Sequence, residues 1–246
     1  MIQPDDNDSA LQPQARPRTP ATFALLGAIV LMYIMSLGFS GGSFQPSLNA
    51  LVLLGAKVNV MIAGGAYWRL LTATFLHGSL IHIFFNGYAL YALGPEAERI
   101  YGTRRFLALY FLAGLGGSLA SYLMSRAVSV GASGAIFGLI GGLGVFYYLN
   151  RATLGDFGKA QVQNMVSIAM INLFIGFASQ GTIDNWGHMG GLIGGALAGF
   201  ALAPRLQFDS RFSPPLLRRD YLDLGWAGAA SLLVVMSAMT LLLPHA

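Results

Sequence analysis

Residues 133–150 read SGAIFGLIGGLGVFYYLN: a serine at the head of a run that carries no charge. A stretch this long and apolar lies just above the lower limit of ~17 residues for crossing the hydrocarbon core of a bilayer, where ~20 is usual. Six further runs read the same way, at about 21–39, 70–93, 106–125, 162–179, 186–203 and 225–243. Seven spans predict an all-α polytopic membrane protein.

Composition agrees. Charged residues make up 10% of the 246, where a soluble domain carries roughly 25%, and 55% are hydrophobic, so there is no material for a charged exterior. The 32 glycines suit helices that approach backbone to backbone in lipid. Cysteine is absent, which excludes disulfides, thiolate catalysis and cysteine-ligated metals. The net charge of +4 is scattered over short polar segments, with no basic run to follow a nucleic-acid backbone, so nucleic-acid binding is discarded.

Residues 1–20 hold Pro4, Pro13, Pro17 and Pro20 with three aspartates, and read as a disordered cytoplasmic tail. The run at 21–39 is too long for a signal-peptide core and is expected to be retained. Residues 40–69 mix apolar residues and glycine too brokenly to span, and are expected to lie at the membrane interface as a loop ending in Trp68-Arg69. Residues 204–224, with Pro214, Pro215, Arg218 and Arg219, read as a cytoplasmic linker to the seventh span at 225–243. With the amino terminus inside, eleven of the 14 basic residues fall on the cytoplasmic side, and only Lys57, Arg69 and Arg126 fall outside. The carboxy terminus is then expected outside. A bacterial inner membrane is the expected location, because the tail is unlike an Arg- and Ser-rich transit peptide.

Ionisable groups inside a membrane are costly and point to function. The second span carries His77, His82 and Asn86. Asn86 follows His82 by four residues and shares its helical face, whereas His77 falls about 140° round the helix and reads as structural. The fourth span opens with Gly131-Ala132-Ser133-Gly134, and the sixth with Trp186-Gly187-His188-Met189-Gly190-Gly191. All three spans enter from the outer face, so these groups are expected to meet in the outer half of the bilayer. A serine hydroxyl needs an adjacent base to act as a nucleophile, and His188 is the candidate. Unpaired N–H groups at the helix start by Ser133 suit an oxyanion, with His82 and the Asn86 amide as further donors. Gly131 and Gly134 leave room for a substrate backbone and a neighbouring helix. A zinc protease would need His-Glu-x-x-His, which does not occur, and an aspartyl one would need two intramembrane carboxylates, whereas only Asp184 comes near a span.

Taken together, His77-x4-His82-x3-Asn86, Gly131-Ala132-Ser133-Gly134 and Trp186-Gly187-His188-Met189-Gly190-Gly191 resemble the motifs of the rhomboid family of intramembrane serine proteases, over about residues 22–203. Trp68-Arg69 resembles the family's first-loop signature, and Glu98 sits where the family places a structural glutamate. The resemblance implies a six-helix bundle at 21–203 with one added carboxy-terminal helix. It implies a dyad of Ser133 and His188 without a third carboxylate, and an oxyanion hole of His82, Asn86 and the Ser133 N–H. Substrates would be single-pass transmembrane proteins cut in or near the membrane. Phe137, one turn after Ser133, stands where some members have tyrosine; its ring can still pack on His188. Neither cofactor nor metal is implied, and the sequence carries no signal for oligomeric state. Two other readings stay open: a catalytically silent rhomboid-like scaffold that binds transmembrane helices, and a small transporter that uses the histidines as a polar pathway. The presence of both Ser133 and His188 counts against the first, and the lack of an inverted repeat against the second.

Overall fold

The computed structural model describes residues 18–179, 183–212 and 216–243. Residues 1–17 of the expected tail, and Pro214 and Pro215 of the expected linker, lie outside the described residues. Of the tail's last three residues, Arg18 and Thr19 are coil and Pro20 is helical. Thr19 is buried, and Pro20 opens α1 (Pro20–Gly38), where its fixed φ suits the first turn and its missing N–H loses no bond.

The expected interfacial loop contains two short helices, α2 (Leu48–Leu54) and α3 (Asn59–Ala63), and its last residue opens a third, α4 (Arg69–Thr72), which is followed by a 3-10 turn at Ala73–Phe75. The Ser47 hydroxyl accepts the Ala50 N–H and starts α2. Gly55 stops it at φ 106°, and a Cβ there would run into the Thr72 hydroxyl.

The second span differs from its expected bounds of 70–93. Its helix, α5 (Leu80–Tyr101), starts where the Ser79 hydroxyl accepts the His82 N–H at 3.1 Å. The apolar residues before it fold separately, as α4 and the 3-10 turn. His77 therefore precedes the helix, and the helical spacing expected between His77 and His82 does not apply.

The chain continues through α6 (Thr103–Met124), α7 (Ser133–Leu149), α8 (Arg151–Ala178) and α9 (Asn185–Leu202). Gly155, at φ 60°, kinks α8 after its first turn. Two antiparallel strands follow, β1 (Arg205–Asp209) and β2 (Leu216–Asp220), and then α10 (Gly225–Leu242). Among the described residues, α1, α6, α8 and α10 are long and apolar enough to cross a bilayer, and α7 is apolar but 17 residues long. His82 and Asn86 in α5, and Asn185 and His188 in α9, make those two helices more polar. The architecture is that of an all-α polytopic membrane protein, to which the small hairpin is an addition.

At the centre of the bundle α7 packs between α6 and α9. Lipid gives helices no hydrophobic reason to associate, so close backbone contact has to hold them. Gly134, Gly138 and Gly142 on α7 face Gly191, Gly195 and Gly199 on α9 in turn. A Cβ on Gly199 would stand 2.8 Å from Gly142 Cα, and one on Gly117 of α6 would stand 2.6 Å from Gly187 O. By contrast α8 is mostly exposed along its length. The seventh span, α10, lies against α9 and α6, with the Met236 methyl seated over Gly116 and Gly194.

The hairpin fastens that end of the bundle. The Arg219 guanidinium donates to Arg99 O at 2.9 Å, and Arg105 sits 3.8 Å over the Tyr221 ring. The Thr153 hydroxyl donates to Leu206 O, and Leu206 N–H donates to Asn150 Oδ1. At the hairpin's surface Arg211 holds the Asp209 carboxyl below the usual carboxylate range.

Candidate active site

Between α6 and α7 the chain runs back along the segment that follows α2. Lys57 and Ser129 exchange both backbone hydrogen bonds, at 3.0 and 3.1 Å. The Lys57 side chain is buried, and its Nζ donates to Ser121 O, Ser125 O, Ala127 O and Asn59 Oδ1 at 2.8–3.2 Å. It thereby satisfies the Ser125 and Ala127 carbonyls just past α6, and adds to the bond that Ser121 O accepts from the Ser125 N–H. Burial pulls the Lys57 ammonium down to about 8, and the Asp184 carboxylate opposes the shift. Asn59 adds bonds from its amide to Tyr122 O and Ser125 O.

Two residues after Ser129, Gly131 N–H donates to Ala73 O, and its φ is 135°. Only glycine fits this position. A Cβ would lie 2.7 Å from His82 Nε2 and 3.7 Å from Ser133 Oγ, so the His82 ring tip and the Ser133 hydroxyl both face the empty side of Gly131. Ser133 is the first residue of α7, where the helical N–H groups lack internal partners.

The other half of the site starts α9. Asp184 caps that helix, with Oδ1 accepting the Gly187 N–H at 2.9 Å and Oδ2 accepting the Ser129 hydroxyl at 2.6 Å. His188 follows one residue after Gly187. Its ring stacks on Phe137 of α7, and its Nδ1 is buried without a hydrogen-bond partner. His82 and His188 lie close enough to interact electrostatically. The His77 ring is fully buried, edge-to-face with His82 at a centroid separation of 5.0 Å. Asn86 is buried too, and its amide donates to His82 O at 3.0 Å, which leaves a second amide hydrogen for another acceptor. Ser133, Ser129, Asp184, Thr74, Ser118 and Gly187 line one cavity of about 20 Å³, room for a single water.

A family model described as the Rhomboid domain matches residues 64–205. The chain belongs to the rhomboid family. It is 44% identical over 181 residues to Rhomboid protease GluP of Bacillus subtilis strain 168, covering 74% of this chain and 34% of that one. RHOMBOID-like protein 5 of Arabidopsis thaliana is 35% identical over 176 residues, 69% of this chain and 56% of that one. Rhomboid-like protease 3 of Toxoplasma gondii is 36% identical over 170 residues, 68% of this chain and 64% of that one. The chain thus spans between a third and two thirds of the length of these relatives.

The matched rhomboid region takes in Trp68 through His188 and leaves out Lys57, all of α1 and all of α10. Within it, His77, His82, Asn86, Gly131, Ser133, Gly134, Phe137 and His188 come together at one end of the bundle. Trp68 and Arg69 stand further off. Trp68 is exposed, while Arg69 is buried and donates to Val52 O and Ala56 O, holding α4 to the end of α2. Glu98 lies at the opposite end, about 24 Å along α5 from His82 at ~1.5 Å per residue. Its carboxylate accepts from Ala21 N–H, Thr22 N–H, and the Thr22 and Thr103 hydroxyls, tying the start of α1 to the α5–α6 corner.

Sequence reasoning passed over Asn59 and Ser129, counted Lys57 only as a basic residue on the outer side, and weighed Asp184 only as a protease carboxylate. A signal for Asp184 was present: an Asp three residues before Gly187, at the head of a helical run, is a capping pattern. Lys57 and Ser129 are distant in sequence, and their pairing has no local signature. Among the described residues no group of three or more His, Cys, Asp or Glu could hold a metal ion.

Proposed function

We propose that this rhomboid is an intramembrane serine endopeptidase that cuts single-pass transmembrane proteins. The observation that carries the reading is the convergence of Ser133 Oγ and His82 Nε2 on Gly131. An activated hydroxyl and an oxyanion donor would have to face one such point.

In this reading Ser133 Oγ attacks the scissile carbonyl carbon and passes its proton to His188 Nε2. Negative charge on the carbonyl oxygen is met by the Ser133 N–H, His82 and the free hydrogen of the Asn86 amide. Collapse of the tetrahedral intermediate breaks the C–N bond, and His188 returns the proton to the leaving amine. Water then enters with His188 again as base, giving the carboxylic acid and free Ser133. The scissile segment has to be unwound, since a helical amide is enclosed by its own backbone bonds. Residues 21–203 would form the catalytic bundle, and α10 an appended helix. The balance of basic residues supports a cytoplasmic amino terminus and an outward-facing site, as in a bacterial inner membrane.

A fluorophosphonate probe that labels activated serines tests the reading on purified full-length protein. Wild type should label, and Ser133→Ala and His188→Ala should not. A folded, monodisperse wild type that resists the probe would instead favour a helix-binding scaffold.

A further inference from the structure

We propose that Ser129 and Asp184 form a positioning pair that fixes the distance between Ser133 and His188. The inference rests on the protease reading above. It starts from one carboxylate with two loyalties. Asp184 Oδ2 takes the Ser129 hydroxyl at 2.6 Å, and Oδ1 takes the Gly187 N–H at 2.9 Å. The first contact is on the strand that delivers the nucleophile, and the second is one residue before the base. Both bonds reach a carboxylate in a partly buried setting, where such hydrogen bonds are stronger than those between neutral groups.

The nucleophile side of this link is rigid. Ser129 is held through both of its backbone polar groups by Lys57, whose ammonium is bonded to the three carbonyls Ser121 O, Ser125 O and Ala127 O. Gly131 N–H is fixed on Ala73 O. The base side is rigid as well, because the capped first turn of α9 carries His188, whose own N–H donates to Asp184 O. Between these two bodies the Ser129–Asp184 bond is a direct side-chain hydrogen bond, beside the Phe137–His188 stack. Asp184 does not act as the third member of a triad would, through the imidazole. His188 Nδ1 has no hydrogen-bond partner, so the carboxylate places the backbone turn that carries the base and does not hold its ring.

The test measures labelling kinetics of the full-length protein in detergent micelles with the fluorophosphonate probe, beside thermal unfolding of the same samples. Ser129→Ala should lower the maximal labelling rate on the order of 10-fold, with the probe's half-saturating concentration unchanged, as misplacement of reacting groups predicts. Ser129→Thr keeps the hydroxyl and should return to within about twofold of wild type. Asp184→Asn keeps the helix cap and loses the charge, and combining it with Ser129→Ala should be no slower than the slower single variant. Wild-type labelling by Ser129→Ala, failure of Ser129→Thr to rescue, or losses that multiply in the double variant would each overturn the pair. A rate loss that follows the melting temperature across the set would overturn it too, by showing a stability effect alone. Failure of wild type itself to label is a separate result and overturns the protease reading.

Discussion

The His188 imidazole lies face to face on the Phe137 ring, with centroids 4.2 Å apart and planes 15° from parallel. In a triad a carboxylate would hold the base ring through its second nitrogen. Here that nitrogen is enclosed without a partner, and flat aromatic contact supplies the orientation. The stack bridges α7 and α9, so the same contact that aims the ring also joins the two helices that carry the candidate dyad.

Replacing the aromatic surface should therefore disturb rate more than binding. Phe137→Ala is expected to slow serine labelling by about 10-fold or more, while Phe137→Tyr stays within a few-fold of wild type. Labelling kinetics of the two variants check this. An unaffected Phe137→Ala variant would show that the helix alone aims His188.

Under the proposed mechanism Ser133→Ala and His188→Ala should each abolish cleavage of a transmembrane substrate reconstituted in liposomes, and the double variant should be no worse, as for two groups acting as one unit. Substantial turnover by either single variant would remove the dyad assignment.

Asn86 already spends one amide hydrogen on His82 O. In the proposed role of one oxyanion donor among several it should be worth on the order of 10²-fold in turnover or less when changed to Ala, with little effect on substrate affinity. An unchanged rate would return Asn86 to packing alone.

The glycine contacts can be tested without any activity. A Cβ at Gly191 would meet the Gly134 backbone, with Cα at 2.8 Å, and backbone cannot step aside. Gly191→Ala should lose at least ~1–3 kcal/mol of stability in detergent unfolding. Gly27→Ala on α1 is the control. Nothing lies within 4 Å of its new methyl group, and it should be neutral or slightly stabilising.

Lys57 gives a pH signature. In an unfolded chain lysine titrates near ~10.4, against about 8 in the fold. Holding the ammonium therefore costs stability below about pH 8, and that cost is relieved as pH rises towards ~10.4. Wild type should gain thermal stability relative to Lys57→Met across this window, as read by melting in micelles at stepped pH. A difference that stays constant with pH would show that the four hydrogen bonds at Nζ compensate the burial in full.

What could be read in advance was whatever local pattern encodes. The charge-free run after Ser133 marks α7 because no other solvent suits it, and the His82–Asn86 step follows from helical geometry. The start of α5 was misplaced because hydropathy cannot separate a span from the apolar α4 and 3-10 turn ahead of it; the Ser79 cap decides the boundary. Alternation of Leu206 and Phe208 with polar residues, across from Leu217, was the available sign of the hairpin, but in so short a stretch it reads as linker. The pairing of Lys57 with Ser129, and of Ser129 with Asp184, joins segments that only the finished bundle brings together.

Glycines on α7 at 134, 138 and 142, and on α9 at 187, 191, 195 and 199, share a period of four. Slide α9 along α7 by one helical turn, so that Gly187 meets Gly134, and each of the three α7 glycines again finds a glycine. The ladder thus offers a second stop: it dictates how near the helices come but by itself does little to choose between these two registers. Selecting the stop falls to the few side chains that break the repeat, the Phe137–His188 stack and the Asp184 cap among them. A bundle built this way separates closeness from alignment, so a substitution at one of those markers could leave a well-packed protein whose reactive groups are out of step by a full turn.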